Sequence, residues 1–213
     1  YRDKKSEDEK VLSPIDFWSA VSFKRWKHIW SILNESTPIF SQQNIKMLDY
    51  GGYNGFLPYA LNQKHSISSF VADLDIKGLK MAEFLGSKII DLSKTKINEN
   101  NFDLITVVHV LEHLDTPKLQ LEELKNSLSE EGVIYVEVPN LYGFPLSDEA
   151  HKIAFTLYSL AKLFKDSGLE VINYGYNSTP KESIRFDYYY NNEKENIFMV
   201  GALKKMNNKN IDL

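Results

Sequence analysis

The run Met47-Leu48-Asp49-Tyr50-Gly51-Gly52-Tyr53-Asn54-Gly55 is where this chain has the residue types to hold a ligand. An apolar stretch ends in an acid, a glycine turn follows, and then a helical pattern begins. That order places a tight turn at the C-terminal edge of a buried strand, where open α/β sheets bind ligands. Glycine lets the chain bend sharply and lets a ligand approach the backbone. A carboxylate beside the turn suits hydroxyls or an ammonium group and repels phosphates. The spacing rejects the two common phosphate-binding turns. A dinucleotide fingerprint needs Gly-x-Gly-x-x-Gly, and it fails at Tyr53 from Gly51 and at Asn54 from Gly52. No Gly-Lys-Ser/Thr follows, so there is no P-loop.

Further polar groups follow at intervals. In Phe70-Val71-Ala72-Asp73-Leu74-Asp75 an acid closes an apolar run. A carboxylate there can accept from both hydroxyls of a ribose, as the acid about 20 residues beyond a Rossmann turn does. Asp73 is the first choice; Asp75 is the alternative and otherwise a helix cap. Ile89-Ile90-Asp91-Leu92 ends a third apolar run, and Val107-Val108-His109-Val110-Leu111-Glu112-His113-Leu114 a fourth. Of five histidines, His28 and His65 read as ordinary surface residues. His109, His113 and His151 fall where a ligand edge is expected, with His113 and His151 the candidate bases. Glu112 reads as a residue that orders its loop, with an acceptor role as the alternative, and Asp103 as structural. No metal-binding constellation is visible. Tyr142, Tyr158 and Tyr188-Tyr189-Tyr190 either line a pocket for a polar ring or pack.

The elements that must position these groups alternate. Apolar strand patterns cover Ile45–Asp49, Ser66–Ala72, Ser87–Asp91, Phe102–Val110, Gly132–Val138, Leu169–Tyr174 and Ile197–Lys204. Helical patterns cover residues 16–34, Gly55–Gln63, Ile76–Leu85, the stretch opened by Thr116-Pro117, and the stretch capped by Thr156. Strands alternating with helices imply a Rossmann-like α/β architecture. Its sheet is seven-stranded and mainly parallel, with helices on both faces and an antiparallel last strand. No helix separates the final two strands, so they form an edge hairpin. Residues 1–40 read as an N-terminal arm and helix, and 41–213 as the ligand-binding domain. Trp26, Ile29, Trp30 and Leu33 lie at helical spacing, either as core or as a lid.

Composition removes other classes. The 213 residues carry 25 basic and 29 acidic side chains, a net charge of −4, without the basic excess of a nucleic-acid binder. There is no cysteine, hence no disulfide, thiolate zinc site or cysteine nucleophile. No apolar run approaches a membrane span of about 20 residues. A cytoplasmic bacterial protein is expected, with a homodimer as an option. The chain begins at Tyr1 rather than methionine, which reads as a missing native N-terminus.

Asp49, Gly51 and Gly55 together resemble motif I of the class I S-adenosylmethionine-dependent methyltransferases, Asp/Glu-x-Gly-x-Gly-x-Gly, with Tyr53 in place of the middle glycine. The Leu111-Glu112-His113-Leu114 extension and the run from Gly132 to Pro139-Asn140 resemble the broad group of small-molecule and ubiquinone-type enzymes in that family. The resemblance spans about residues 45–204. It implies S-adenosyl-L-methionine as cofactor, held by Asp49, Gly51, Gly52, Gly55, Asp73, Leu74, Asp91, Leu92 and His109. It aligns Asp73 with the ribose acid and Asp91 with the acid that meets the adenine amino group. His109 aligns where family members hold the amino-acid moiety by backbone. The expected reaction is methyl transfer to a small polar acceptor, at oxygen of a sugar, glycan or nucleotide-linked precursor. The alternatives are N- or C-methylation of a small metabolite, an RNA or protein methyltransferase, and a silent cofactor-binding module. The Asp/Asn-Pro-Pro-Tyr/Phe/Trp motif of amino-methylating nucleic-acid enzymes is absent, which counts against DNA.

Overall fold

The structure is a computed structural model and describes residues 14–97, 101–142, 150–177 and 196–203, with side chains from residue 25 onward. The elements are α1 (Pro14–Ser36), β1 (Ile45–Tyr50), α2 (Phe56–Asn62), β2 (Ile67–Asp73), α3 (Ile76–Phe84), β3 (Lys88–Asp91), β4 (Phe102–Val108), α4 (Pro117–Asn126), β5 (Leu128–Pro139), α5 (Leu157–Asp166), β6 (Glu170–Asn177) and β7 (Asn196–Ala202). The seven strands are ordered β3-β2-β1-β4-β5-β7-β6. β7 runs antiparallel to both β5 and β6, and the other pairs are parallel. The expected edge hairpin is therefore present, with β7 inside and β6 outermost.

Alternation along the strands divides the core between two faces. Phe70 and Ala72 belong to one apolar cluster with Leu121 and Leu124 of α4 and Leu160 and Phe164 of α5. Ile67, Met47 and Leu104 pack with Trp26, Ile29 and Leu33 of α1 and Leu57 and Leu61 of α2. Val71 meets Leu79 and Ala82 of α3. Trp26, Ile29 and Leu33 are thus core residues, and Trp30 is half-buried.

Several boundaries differ from expectation for local reasons. β5 begins at Leu128, ahead of the expected Gly132, after a register shift between Phe102 and Leu104. Gly132 allows that irregularity: a Cβ there would lie 2.5 Å from the Phe102 carbonyl oxygen. Thr116 precedes Pro117 as expected but makes no side-chain cap bond. Thr156 does cap α5, and forms a reciprocal capping box with Ser159. Asp103 is structural, accepting from Lys46 N (2.9 Å) and Ser129 Oγ (3.0 Å). Among the described residues no helix is long and apolar enough to cross a membrane.

Candidate active site

The strand order reverses between β1 and β4, and a crevice opens beyond their C-terminal ends. Gly51 leaves β1 at φ +71°, a conformation that favours glycine, and its N–H donates to the Ala72 carbonyl at 2.7 Å. A Cβ on Gly51 would stand 2.3 Å from Val110 Cγ2, so the turn and the loop after β4 approach too closely for a side chain. Gly52 has a different reason. A Cβ there would lie 2.4 Å from Asp49 Oδ2, so the missing side chain makes room for that carboxylate. Gly55, at φ +70°, packs against Ala82 of α3, 2.7 Å from where its Cβ would be.

Asp49 is buried beneath the turn, and its Oδ1 accepts from Thr106 Oγ1 at 2.7 Å. Burial pushes its carboxyl up to about 7, against the Thr106 hydrogen bond and the Arg25 charge, with the Asp73 charge adding to the rise. Tyr53 takes φ +46°, the left-handed conformation that a glycine would adopt without strain. Its ring lies against α3: a Cβ on Gly78 would be 2.4 Å from Tyr53 Cδ2. The tyrosine therefore folds away onto Gly78 and is not part of the cleft wall.

The cleft has a volume of about 530 Å³. Of the residues expected at a ligand edge, Gly51, Asp73, Leu74, Leu92, His109 and His113 line it. Asp73 accepts from Tyr53 N (2.9 Å, Oδ2) and Asp75 N (2.8 Å, Oδ1), which leaves lone pairs on both oxygens. Asp75 caps α3 by accepting from Lys77 N and Gly78 N. Leu74, Leu92, Ile97 and Leu114 give the cleft an apolar side. Asp49, Gly52 and Gly55 lie behind the wall and shape the turn. Asp91 is also outside the wall. Its carboxylate accepts from Ser93 N and from Lys94 Nζ (2.7 Å), and the Lys94 and Ser93 hydrogen bonds hold it below the usual carboxylate range.

His109 follows β4 at φ +55°, with its N–H donating to the Glu137 carbonyl at 2.9 Å. Its ring is held between two buried acids: Nε2 is 3.3 Å from Glu137 Oε1, and Nδ1 is 3.4 Å from Glu112 Oε1. Burial opposes the imidazolium, but contacts with Glu112 and Glu137 outweigh it and raise the pKa. At these distances the contacts are ionic; neither ring-to-acid geometry is that of a well-aligned hydrogen bond.

Glu137 escaped sequence reading because it sits in the apolar run of β5. It accepts from Tyr135 OH (2.8 Å) and Asn177 Nδ2 (2.9 Å), and Arg25 Nε is 3.7 Å away. Burial opposes its charge, but the close contact with the His109 ring, the Arg25 charge and the Asn177 hydrogen bond hold it ionised, well below the usual range. A glutamate between Val136 and Val138, in a strand buried on both faces, was the available signal. His28 differs from its expected surface role. It is half-buried, edge-on to Phe198 at 5.9 Å, and burial lowers its pKa despite the Glu137 charge. The His65 ring lies tilted against Phe40, centroids 4.7 Å apart, and burial lowers its pKa.

The segment before α5 folds back onto the loop after β4. Lys152 N and Ile153 N both donate to the Glu112 carbonyl, at 2.8 and 3.1 Å. The His151 ring consequently meets the His113 ring edge-on, centroids 4.9 Å apart. His113 Nδ1 is 2.9 Å from the Ala150 carbonyl oxygen. Glu112, His113 and His151 are thereby gathered into one cluster, although the sequence showed no such constellation. Tyr142 and Tyr158 are exposed, and Tyr188-Tyr189-Tyr190 lie outside the described residues.

Residues 23–174 match a family model described as a methyltransferase domain, well over half of the chain. The chain belongs to the S-adenosylmethionine-dependent methyltransferases. It is an enzyme of that family, with S-adenosylmethionine as cofactor. Solved structures share the methyltransferase fold at low identity. An S-adenosylmethionine-dependent methyltransferase from Clostridium acetobutylicum is 18% identical, with a TM-score of 0.61 over 93% of this chain and 96% of that one. A TehB-like methyltransferase from Corynebacterium glutamicum is 18% identical, with a TM-score of 0.57 over 88% and 98%. The [4+2]-cyclase SpnF is 12% identical, with a TM-score of 0.66 over 92% and 84%. No curated protein sequence matches this chain.

Proposed function

We propose that this methyltransferase acts on a hydroxyl oxygen of a small polar acceptor, a sugar, glycan or nucleotide-linked precursor. The observation that carries the reading is the His113–His151 pair beside the cleft, with His113 in its wall. A neutral hydroxyl is the acceptor that gains from a proton-accepting imidazole, because a general base adds about 10²–10⁴-fold. A carboxylate or neutral amine needs none.

The residues present fit the cofactor. Asp73 keeps lone pairs for two ribose hydroxyls, and Leu74 and Leu92 offer an apolar slot for a flat ring. Gly51 brings bare backbone to the cleft, and Tyr53, the one bulky replacement in the motif, is turned onto Gly78. Gly51 and the backbone of His109 are assigned to the amino-acid end. Asp49 acts from beneath, by shaping the turn. Asp91 is assigned to stabilising the 91–95 turn, which presents Leu92.

When bound, the cofactor supplies an electrophilic methyl group on a sulfonium. Gly51, Asp73 and the backbone of His109 would hold it so that its methyl carbon could be given up to the acceptor oxygen, the carbon–sulfur bond pair staying with the sulfur. The hydroxyl proton passes to an imidazole of the pair. Positioning supplies the larger part of the rate, on the order of 7–11 kcal/mol. A methyl-transfer assay over sugars and their nucleotide conjugates tests the reading. Transfer to oxygen in one of these supports it; transfer only to nitrogen, carbon or RNA overturns it.

A further inference from the structure

We infer that Glu112, His113 and His151 form a binding site for a first-row divalent transition metal, zinc or manganese in character, on the wall of the cleft. Three observations carry this. The ligand atoms of the three side chains all lie within 4.8 Å of one another. Four-coordinate zinc with ligands at about 2.0–2.1 Å places its donor atoms roughly 3.3 Å apart. Glu112 Oε1 and His113 Nε2 are already 3.9 Å apart, within an ångström of that spacing.

The second observation is the carboxylate. Glu112 is 1% exposed, and neither of its oxygens accepts a hydrogen bond among the described residues. A buried carboxylate in that condition carries a large desolvation penalty. His109 Nδ1, 3.4 Å from Oε1, offers charge without an aligned hydrogen bond. A divalent cation supplies what is missing.

The third is orientation. His113 Nδ1 lies 2.9 Å from the Ala150 carbonyl, a partner that can only accept. Nδ1 is therefore a donor, which leaves Nε2, the atom facing Glu112, as the ring nitrogen placed to ligate. A ligating histidine whose other ring nitrogen donates to a backbone carbonyl is the usual outer-shell arrangement of protein metal sites. The two backbone bonds from Lys152 and Ile153 to the Glu112 carbonyl fix the height at which His151 arrives.

Two imidazoles and one carboxylate suit zinc, manganese or iron better than magnesium or calcium, which prefer all-oxygen shells. Three protein ligands leave a coordination position open. His113 lines the cleft, so an acceptor hydroxyl is the natural occupant of that position; the metal would acidify it and its proton would pass to solvent water, the imidazoles accepting the proton directly only in the metal-free protein. This last consequence rests on the oxygen-acceptor reading; the metal site does not.

The test uses the full chain without an affinity tag, stripped with chelator and titrated calorimetrically with zinc, manganese and magnesium, with neither cofactor nor acceptor present. Cobalt replaces zinc for absorption spectroscopy. The expected result is saturable uptake at a single site with zinc or manganese ahead of magnesium, and visible cobalt bands. His113→Ala and His151→Ala should each weaken uptake by at least about tenfold. Glu112→Gln should weaken it as well, and a circular dichroism melt shows that each variant is folded. No uptake, or uptake indifferent to both histidine substitutions, overturns the site. Oxygen methylation unaffected by chelator in a metal-binding enzyme leaves the site standing and removes the hydroxyl from it.

Discussion

At the scale of single residues, the two acids near the glycine turn have opposite situations. Asp73 is half-exposed and lines the cleft, and it also holds the turn through the Tyr53 amide. Asp73→Asn should therefore weaken S-adenosylmethionine binding by about 10- to 100-fold, the loss expected when hydrogen bonds to a charged group are removed. Calorimetric affinity checks this, and unchanged affinity removes the ribose assignment. Asp49 is buried and faces Thr106 of β4, Arg25 of α1 and Asp73 of β2. Its folded pKa, about 7, lies above the ordinary aspartate value of 3.8. A raised acid stabilises the fold fully below the unfolded pKa and loses that contribution as pH rises through the folded one. Wild type should lose stability relative to Asp49→Asn between about pH 4 and pH 7, by on the order of 4 kcal/mol. Urea unfolding across that window measures the difference; a difference that is flat with pH refutes the assignment. Glu137 titrates in the opposite sense, which is why the comparison must be with the variant and not with pH alone.

At the scale of elements, the alternating pattern was legible because apolar periodicity and glycine or proline punctuation agreed at each segment from β1 to α5. What stayed hidden depended on tertiary contact. Glu137 is one polar residue in an apolar strand, and nothing local reveals that Arg25, Asn177 and His109 converge on it. His151 is 38 residues from His113, and only the fold-back onto Glu112 brings their rings together. Sequence suggests ligand access at Gly52, and the fold adds a reason that is not local in the pattern: the Asp49 carboxylate occupies the space a side chain there would need. The fold-back runs directly into α5, whose start is fixed by the Thr156–Ser159 capping box. Thr156→Ala should destabilise the protein by about 1 kcal/mol, the usual loss for such a cap. A shift in the urea midpoint checks that value, and no shift shows that α5 is held by its buried face alone.

At the scale of the whole molecule, the sheet supplies a rigid floor and the loops at one edge supply the chemistry. β1 and β4, paired through Met47–Tyr50, place Gly51 and His109 on either side of the crevice. A ligand that binds only the folded chain stabilises it by mass action, about 2.7 kcal/mol at 100 times its Kd. For a chain of this size that raises Tm by roughly 2–4 °C per kcal/mol. Saturating S-adenosylmethionine should therefore raise Tm by several degrees and NAD should not. A scanning melt with each distinguishes them, and an equal response to NAD contradicts the rejection of the dinucleotide pattern.

Tyr53 and Gly78 share one volume: the ring of the first fills the space that a side chain on the second would need. A fingerprint that insists on glycine at position 53 is therefore stricter than the backbone requires. What the turn demands is a left-handed residue whose bulk has somewhere else to go. A rule written over both positions, small at one whenever large at the other, would recover chains like this one that a contiguous pattern passes over.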